Sequence, residues 1–150
     1  MGKYESKNAQ NVLDEVDRKL DAIYEQGIKS YRIRDVYDEL SIFDWWNERL
    51  SKTQLLDMQR FLREAIKLGY TGYVCFKVGA TGCANGMWAH KQESEDGYSP
   101  DGEVLYKSFT PSYNYWSVQD KDGVWYPSST DDSFDSCKTI KQLEAIVESL

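Results

Sequence analysis

Apolar positions along this chain change period once, near Gly69. Before it, Val12, Leu13, Val16, Leu20, Ile23 and Tyr24 recur every three or four residues, the spacing that lines one face of an α-helix. Asp14, Asp17, Arg18 and Asp21 fall off that stripe and Gly27 follows as a stop, which predicts a helix over 9–26. Ile33, Val36, Tyr37 and Leu40 repeat the pattern and predict a helix over 32–40. Ser41 breaks it, and the cluster Phe43, Trp45 and Trp46 is read as a third helix, over 43–50. The segment SKTQLLDMQRFLREAIKLG carries the strongest signature: Ser51 and Gln54 form a capping box, while Leu55, Met58, Leu62, Ala65 and Ile66 share a face. It predicts a helix over 52–68.

Beyond Gly69 the period becomes two. Val74, Phe76 and Val78 alternate with Tyr73, Cys75 and Lys77, as in a strand with one face on a core. Strands are predicted over 72–79, 86–91, 103–109, 113–119 and 123–127. The last two flank DKDG, residues 120–123, where Asp and Gly suit a tight hairpin. In KTIKQLEAIVESL, the residues Ile140, Leu143, Ile146, Val147 and Leu150 fall on one face behind the capping candidates Ser136 and Thr139, predicting a final helix over 138–149. Helices, then a mostly antiparallel sheet of four or five strands, then a helix is the order of an α+β domain. With 150 residues, one domain is expected, with a helical half over 1–70 and a sheet-plus-helix half over 71–150.

Composition adds the surroundings. An apolar content of 41% is enough to fold. No apolar run approaches the length of a membrane span, and MGKYESKNAQ lacks a secretory core, so a cytosolic chain is expected. Cys75, Cys83 and Cys137 are an odd number without a CxxC pair, which fits reduced thiols better than a disulfide framework or a zinc knuckle. The net charge is −7, unevenly placed: residues 1–68 hold 13 Asp/Glu against 12 Lys/Arg, residues 69–150 hold 12 against 6. The second half is the acidic one.

The stretch KVGATGCANGMWAHK gathers three glycines, a cysteine and the single histidine. A dinucleotide cradle would need a helix after the glycines. Met87 to Lys91 read as a strand instead, and no GK[ST] follows. Cys83 and His90 are the only nucleophile–base candidates. On a hairpin they stand roughly 13 Å apart at about 3.3 Å per residue, beyond hydrogen-bond reach. One histidine and scattered cysteines give no metal cluster, and nothing calls for a cofactor. GATGCANG is read as a wide connection between strands.

Function is sought instead where acids and rings mix. Residues 92–103 carry Glu93, Glu95, Asp96, Asp101 and Glu103 beside Tyr98; further on stand Tyr113, Tyr115, Trp116, Asp120, Asp122, Trp125 and Tyr126. Adjacent aromatics on a strand point to opposite faces, so some must lie outside the core. Rings rimmed by carboxylates suit a basic protein partner and repel phosphate backbones. The expected function is a non-enzymatic inhibitor or adaptor docking on a basic nucleic-acid-handling protein. Phage-encoded inhibitors of defence nucleases, anti-CRISPR proteins included, commonly have this size and charge, an analogy of type alone. Two alternatives stand. One is a winged-helix-like DNA binder using Arg60, Arg63 and Lys67 on one helical face; the other is a small enzyme using Cys83 and His90 or loop carboxylates.

Overall fold

A computed structural model describes residues 8–32, 49–77, 86–92, 102–109, 115–127 and 137–150. The first element, α1 (Ala9–Gln26), begins where the Asn8 side chain accepts the Asn11 amide and ends at Gly27. Its stripe Val12, Leu13, Val16, Leu20 and Ile23 is buried, as the spacing predicts. Two short strands follow, β1 (Ser30–Arg32) and β2 (Arg49–Ser51), paired antiparallel with Ser30 opposite Ser51. Helices expected over 32–40 and 43–50 fall mainly on 33–48, outside the described residues. At their described ends, Arg32 and Arg49–Leu50 are extended instead, because each finds a ladder partner in a distant segment that local periodicity does not reveal.

Ser51 then serves twice, closing β2 and capping α2 (Lys52–Lys67). Its hydroxyl accepts the Gln54 amide at 3.2 Å while Gln54 Oε1 accepts the Ser51 amide at 2.9 Å. Helices α1 and α2 pack through Val16, Leu20, Leu55, Met58 and Leu62, with Gln59 Nε2 donating to Asp17 Oδ1 across the seam at 2.6 Å.

The sheet is a five-stranded antiparallel meander, in sequence order throughout: β3 (Val74–Lys77), β4 (Gly86–His90), β5 (Val104–Ser108), β6 (Trp116–Gln119) and β7 (Trp125–Tyr126). Between β6 and β7, Asp120 Oδ1 accepts the amides of Asp122 and Val124, each at 2.9 Å. Gly123 takes φ of +85° there, a backbone angle that residues with a Cβ rarely adopt. The last helix, α3 (Ile140–Ser149), opens with a capping box between Thr139 and Gln142; of the two capping candidates, Thr139 fills the role, and Ser136 lies outside the described residues. Among the described residues, three helices and this sheet make the α+β architecture that the pattern predicts. No described helix is long and apolar enough to cross a membrane.

Register fixes two faces. Val74, Ala89, Leu105 and Val118 align across the sheet, with Met87 and Trp116 one step along. All six belong to the hydrophobic core with α1, α2 and Leu143 of α3. Every described helix therefore packs on this face, and Cys75, Trp88, Tyr106 and Ser117 align on the opposite one.

Candidate functional site: a ring-bearing sheet face

The face away from the helices carries four half-buried aromatic side chains, Trp88, Tyr106, Tyr115 and Trp125. Tyr106 is the hub. Its ring lies 4.9 Å from that of Trp88, 6.0 Å from Tyr115 and 6.4 Å from Trp125, the last two edge-to-face. These separations fall in the favourable range for aromatic pairs. Burial raises the Tyr106 phenol pKa; burial first, then Tyr106 itself, raises that of Tyr115. Both are neutral near pH 7 and present hydroxyls rather than charges.

The neighbouring strand makes room for the hub. A Cβ built on Gly86 would stand 2.7 Å from Tyr106 Cε1 and 3.0 Å from its hydroxyl. Gly86 is the first residue of β4, so this glycine serves the approach of a ring rather than a turn.

Of the surface candidates from the sequence, Tyr115 and Trp125 belong to this cluster. Trp116 does not, and its assignment as a partner contact is corrected: at 2% exposure it lies in the core, stacked on Phe61 with centroids 5.8 Å apart and planes 14° apart. The reason is alternation, since consecutive residues of a strand face opposite ways and the helices cover the Trp116 side. Tyr126, opposite Val118 on the edge strand, is exposed. Trp88 and Tyr106 were missing from the sequence-derived set of partner contacts. The signal that finds them is register, because they stand opposite each other on β4 and β5.

The carboxylates divide. Glu103 Oε2 pairs with Lys91 Nζ at 2.8 Å, and the Lys91 amide donates to the Glu103 carbonyl at 2.9 Å. Glu103 thus pairs with Lys91 across the two ends of the acidic stretch. Asp120 spends one oxygen organising its turn, whereas Asp122 is exposed. Glu93, Glu95, Asp96, Tyr98, Asp101 and Tyr113 lie outside the described residues, as does Cys83.

His90 is buried on β4 with its ring 6.1 Å from Tyr73. Burial lowers its pKa, leaving it neutral near pH 7. Burial pushes the thiols of Cys75 and Cys137 up to about 11, the opposite of what activates a nucleophile. Among the described residues, no three of His, Cys, Asp and Glu come together as a metal site requires. Lys67, a candidate cation for DNA, reaches Glu144 of α3 at 3.2 Å, and the β3–β4 hairpin is the margin of a five-stranded sheet rather than a free wing.

No family model, curated protein or solved structure matches this chain.

Proposed function

We propose that this protein is a small binding module, an inhibitor or adaptor that docks on a basic, nucleic-acid-handling protein through the ring-bearing face of its sheet. The observation that carries the reading is the cluster of Trp88, Tyr106, Tyr115 and Trp125 on the face opposite the helices. Rigid rings of this kind supply contact area at low entropic cost, and Trp and Tyr dominate the energetics of protein interfaces. Charge favours a cationic partner. Residues 69–150 hold 12 Asp/Glu against 6 Lys/Arg, and acidic stretches adjoin the strands that bear the rings. Such a field accelerates encounter with lysine- and arginine-rich surfaces and opposes phosphate backbones. A partner that lines a channel with cations to hold nucleic acid is blocked when an acidic domain occupies it.

The test is binding of the purified protein to a panel of purified nucleic-acid enzymes, followed by interferometry across a salt series. Affinity is expected to fall steeply up to about 300 mM salt, to be competed by nucleic acid, and to weaken at least about tenfold in Trp125→Ala and Tyr115→Ala. Salt-independent binding, or ring variants that bind like the parent, overturns the reading. A mobility shift with random duplex DNA would favour the DNA-binding alternative instead.

A further inference from the structure

On the side of the helix layer away from the sheet, α1 and α2 turn outward two stripes of opposite charge. Opposite the buried stripe of α1 stand the exposed residues Asp14, Arg18, Asp21 and Glu25, and Arg18 is paired with Glu15. The exposed residues of α2 include Lys52, Arg60, Arg63 and Lys67, and none of them is a carboxylate. We propose that this two-helix face docks a second copy of the chain, in a two-fold dimer that lays α1 of each copy on α2 of the other.

Two contacts across the seam give the alignment of the helices. Gln59 Nε2 donates to Asp17 Oδ1 at 2.6 Å, and the Lys52 ammonium lies 4.4 Å from the centre of the Tyr24 ring. As α1 advances from Asp17 to Tyr24, α2 runs back from Gln59 to Lys52, so the two helices are antiparallel. Asp14 is then nearly level with Arg63, and Glu25 with Lys52. A two-fold axis in the plane of such a face runs either across the helices or along them. An axis across them sets α1 on α1 and α2 on α2, like charge on like. An axis along them sets α1 on α2 at the same height, so that Asp14 of one copy meets Arg63 of the other and Glu25 meets Lys52, once in each half of the dimer. Charge selects this second arrangement.

Among the described residues, Asp21, Glu25 and Arg63 form no ion pair within the chain, which leaves their charges to a partner. Tyr24, 62% exposed, and the exposed Leu56 add apolar area to the same face. The net charge of −7 resides mostly in residues 69–150, whereas residues 1–68 hold 13 Asp/Glu against 12 Lys/Arg, so the near-neutral half is the one that meets itself. With 18 residues α1 is about 27 Å long, and two helices side by side are roughly 20 Å wide. That gives about 500 Å² per copy and about 1,000 Å² in all, the lower limit for a specific interface. The dimer is therefore weak and reversible. It leaves both ring-bearing faces open on the far sides of the sheets, and it does not depend on the docking proposed above.

Sedimentation equilibrium of the full chain, up to about 500 µM protein, is the test. A monomer–dimer equilibrium is expected, with a Kd on the order of 10–100 µM at about 50 mM salt and at least about tenfold weaker at about 500 mM. Lys52→Glu with Arg63→Glu makes the facing positions of both helices acidic, and Asp14→Lys with Glu25→Lys makes them basic. Each double variant is expected to be monomeric alone. An equimolar mixture of the two is expected to dimerise about as the parent does, because every facing pair is again of opposite charge. Glu25 lies in the last turn of α1 and Lys52 opens α2, so reversing either suits the helix dipole, and circular dichroism establishes that each variant folds. A parent that stays monomeric, or that grows beyond two copies, overturns the dimer. So do double variants that self-associate like the parent, or a mixture that stays monomeric.

Discussion

Replacing Gly86 by alanine is the sharpest probe of the ring-bearing face, because the added methyl meets one identified group. The new Cβ would stand 2.7 Å from Tyr106 Cε1, 3.0 Å from the hydroxyl oxygen and 3.2 Å from Cζ. Ordinary carbon–carbon contact is about 3.5–4.0 Å, so the ring must retreat by about 1 Å. Trp88, Tyr115 and Trp125 surround it at 4.9, 6.0 and 6.4 Å, and the retreat disturbs pairs worth about 0.5–1.5 kcal/mol each. Overpacking of this kind costs about 1–3 kcal/mol. We therefore expect Gly86→Ala to lose about 2 kcal/mol, or about 4–8 °C in melting temperature for a chain of this size. The sign reverses when the ring is gone. In a Tyr106→Ala background, Gly86→Ala removes only the conformational freedom of a strand glycine and is expected to stabilise by about 0.5–1 kcal/mol. Urea denaturation of the four proteins of this cycle measures the coupling. A cost that is the same in both backgrounds, or a parent that tolerates Gly86→Ala within about 0.5 kcal/mol, refutes the packing described for Tyr106.

Trp116→Ala, which removes a buried ring stacked on Phe61, is expected to cost about 3–5 kcal/mol in urea denaturation, whereas Trp125→Ala on the outer face should cost far less. For Lys107, the folded pKa of about 8 lies below its ordinary 10.5. The unfolded chain therefore holds the extra proton between these values, and stability rises with pH across that window. Lys107→Met should accordingly be more stable than the parent at pH 7, on the order of 1–2 kcal/mol after allowance for solvent screening, with the difference vanishing above about pH 10.5. Equal melting temperatures for the two proteins at every pH would contradict it.

Local patterning carried most of the secondary structure. The stripes of α1 and α2, the capping boxes at Ser51 and Thr139 and the Asp–Gly turn before β7 all depend on residues a few positions apart, and such signals are readable in a chain without its fold. Short connections between alternating strands also imply an antiparallel sheet. What stayed hidden depends on partners far along the chain. Alternation shows that Tyr115 and Trp116 face opposite ways, but only the packing of the helices against Met87, Leu105 and Val118 decides that Trp116 goes inside. The same parity sends Lys107 toward the helix side, where it meets Arg60 and Asp57 of α2 and Lys138 beside α3, four residues that no motif links. Likewise, Gly86 reads as part of a glycine-rich connection until the ring of a neighbouring strand is placed over it. The sequence by itself thus determined the three described helices and the strands of the large sheet, though not the extended ends at Arg32 and Arg49–Leu50, because hydrogen bonds, caps and side-chain period act over a few residues. Tertiary structure alone decided which face each ring and charge occupies, because that follows from strand register and from the side of the sheet that the helices cover.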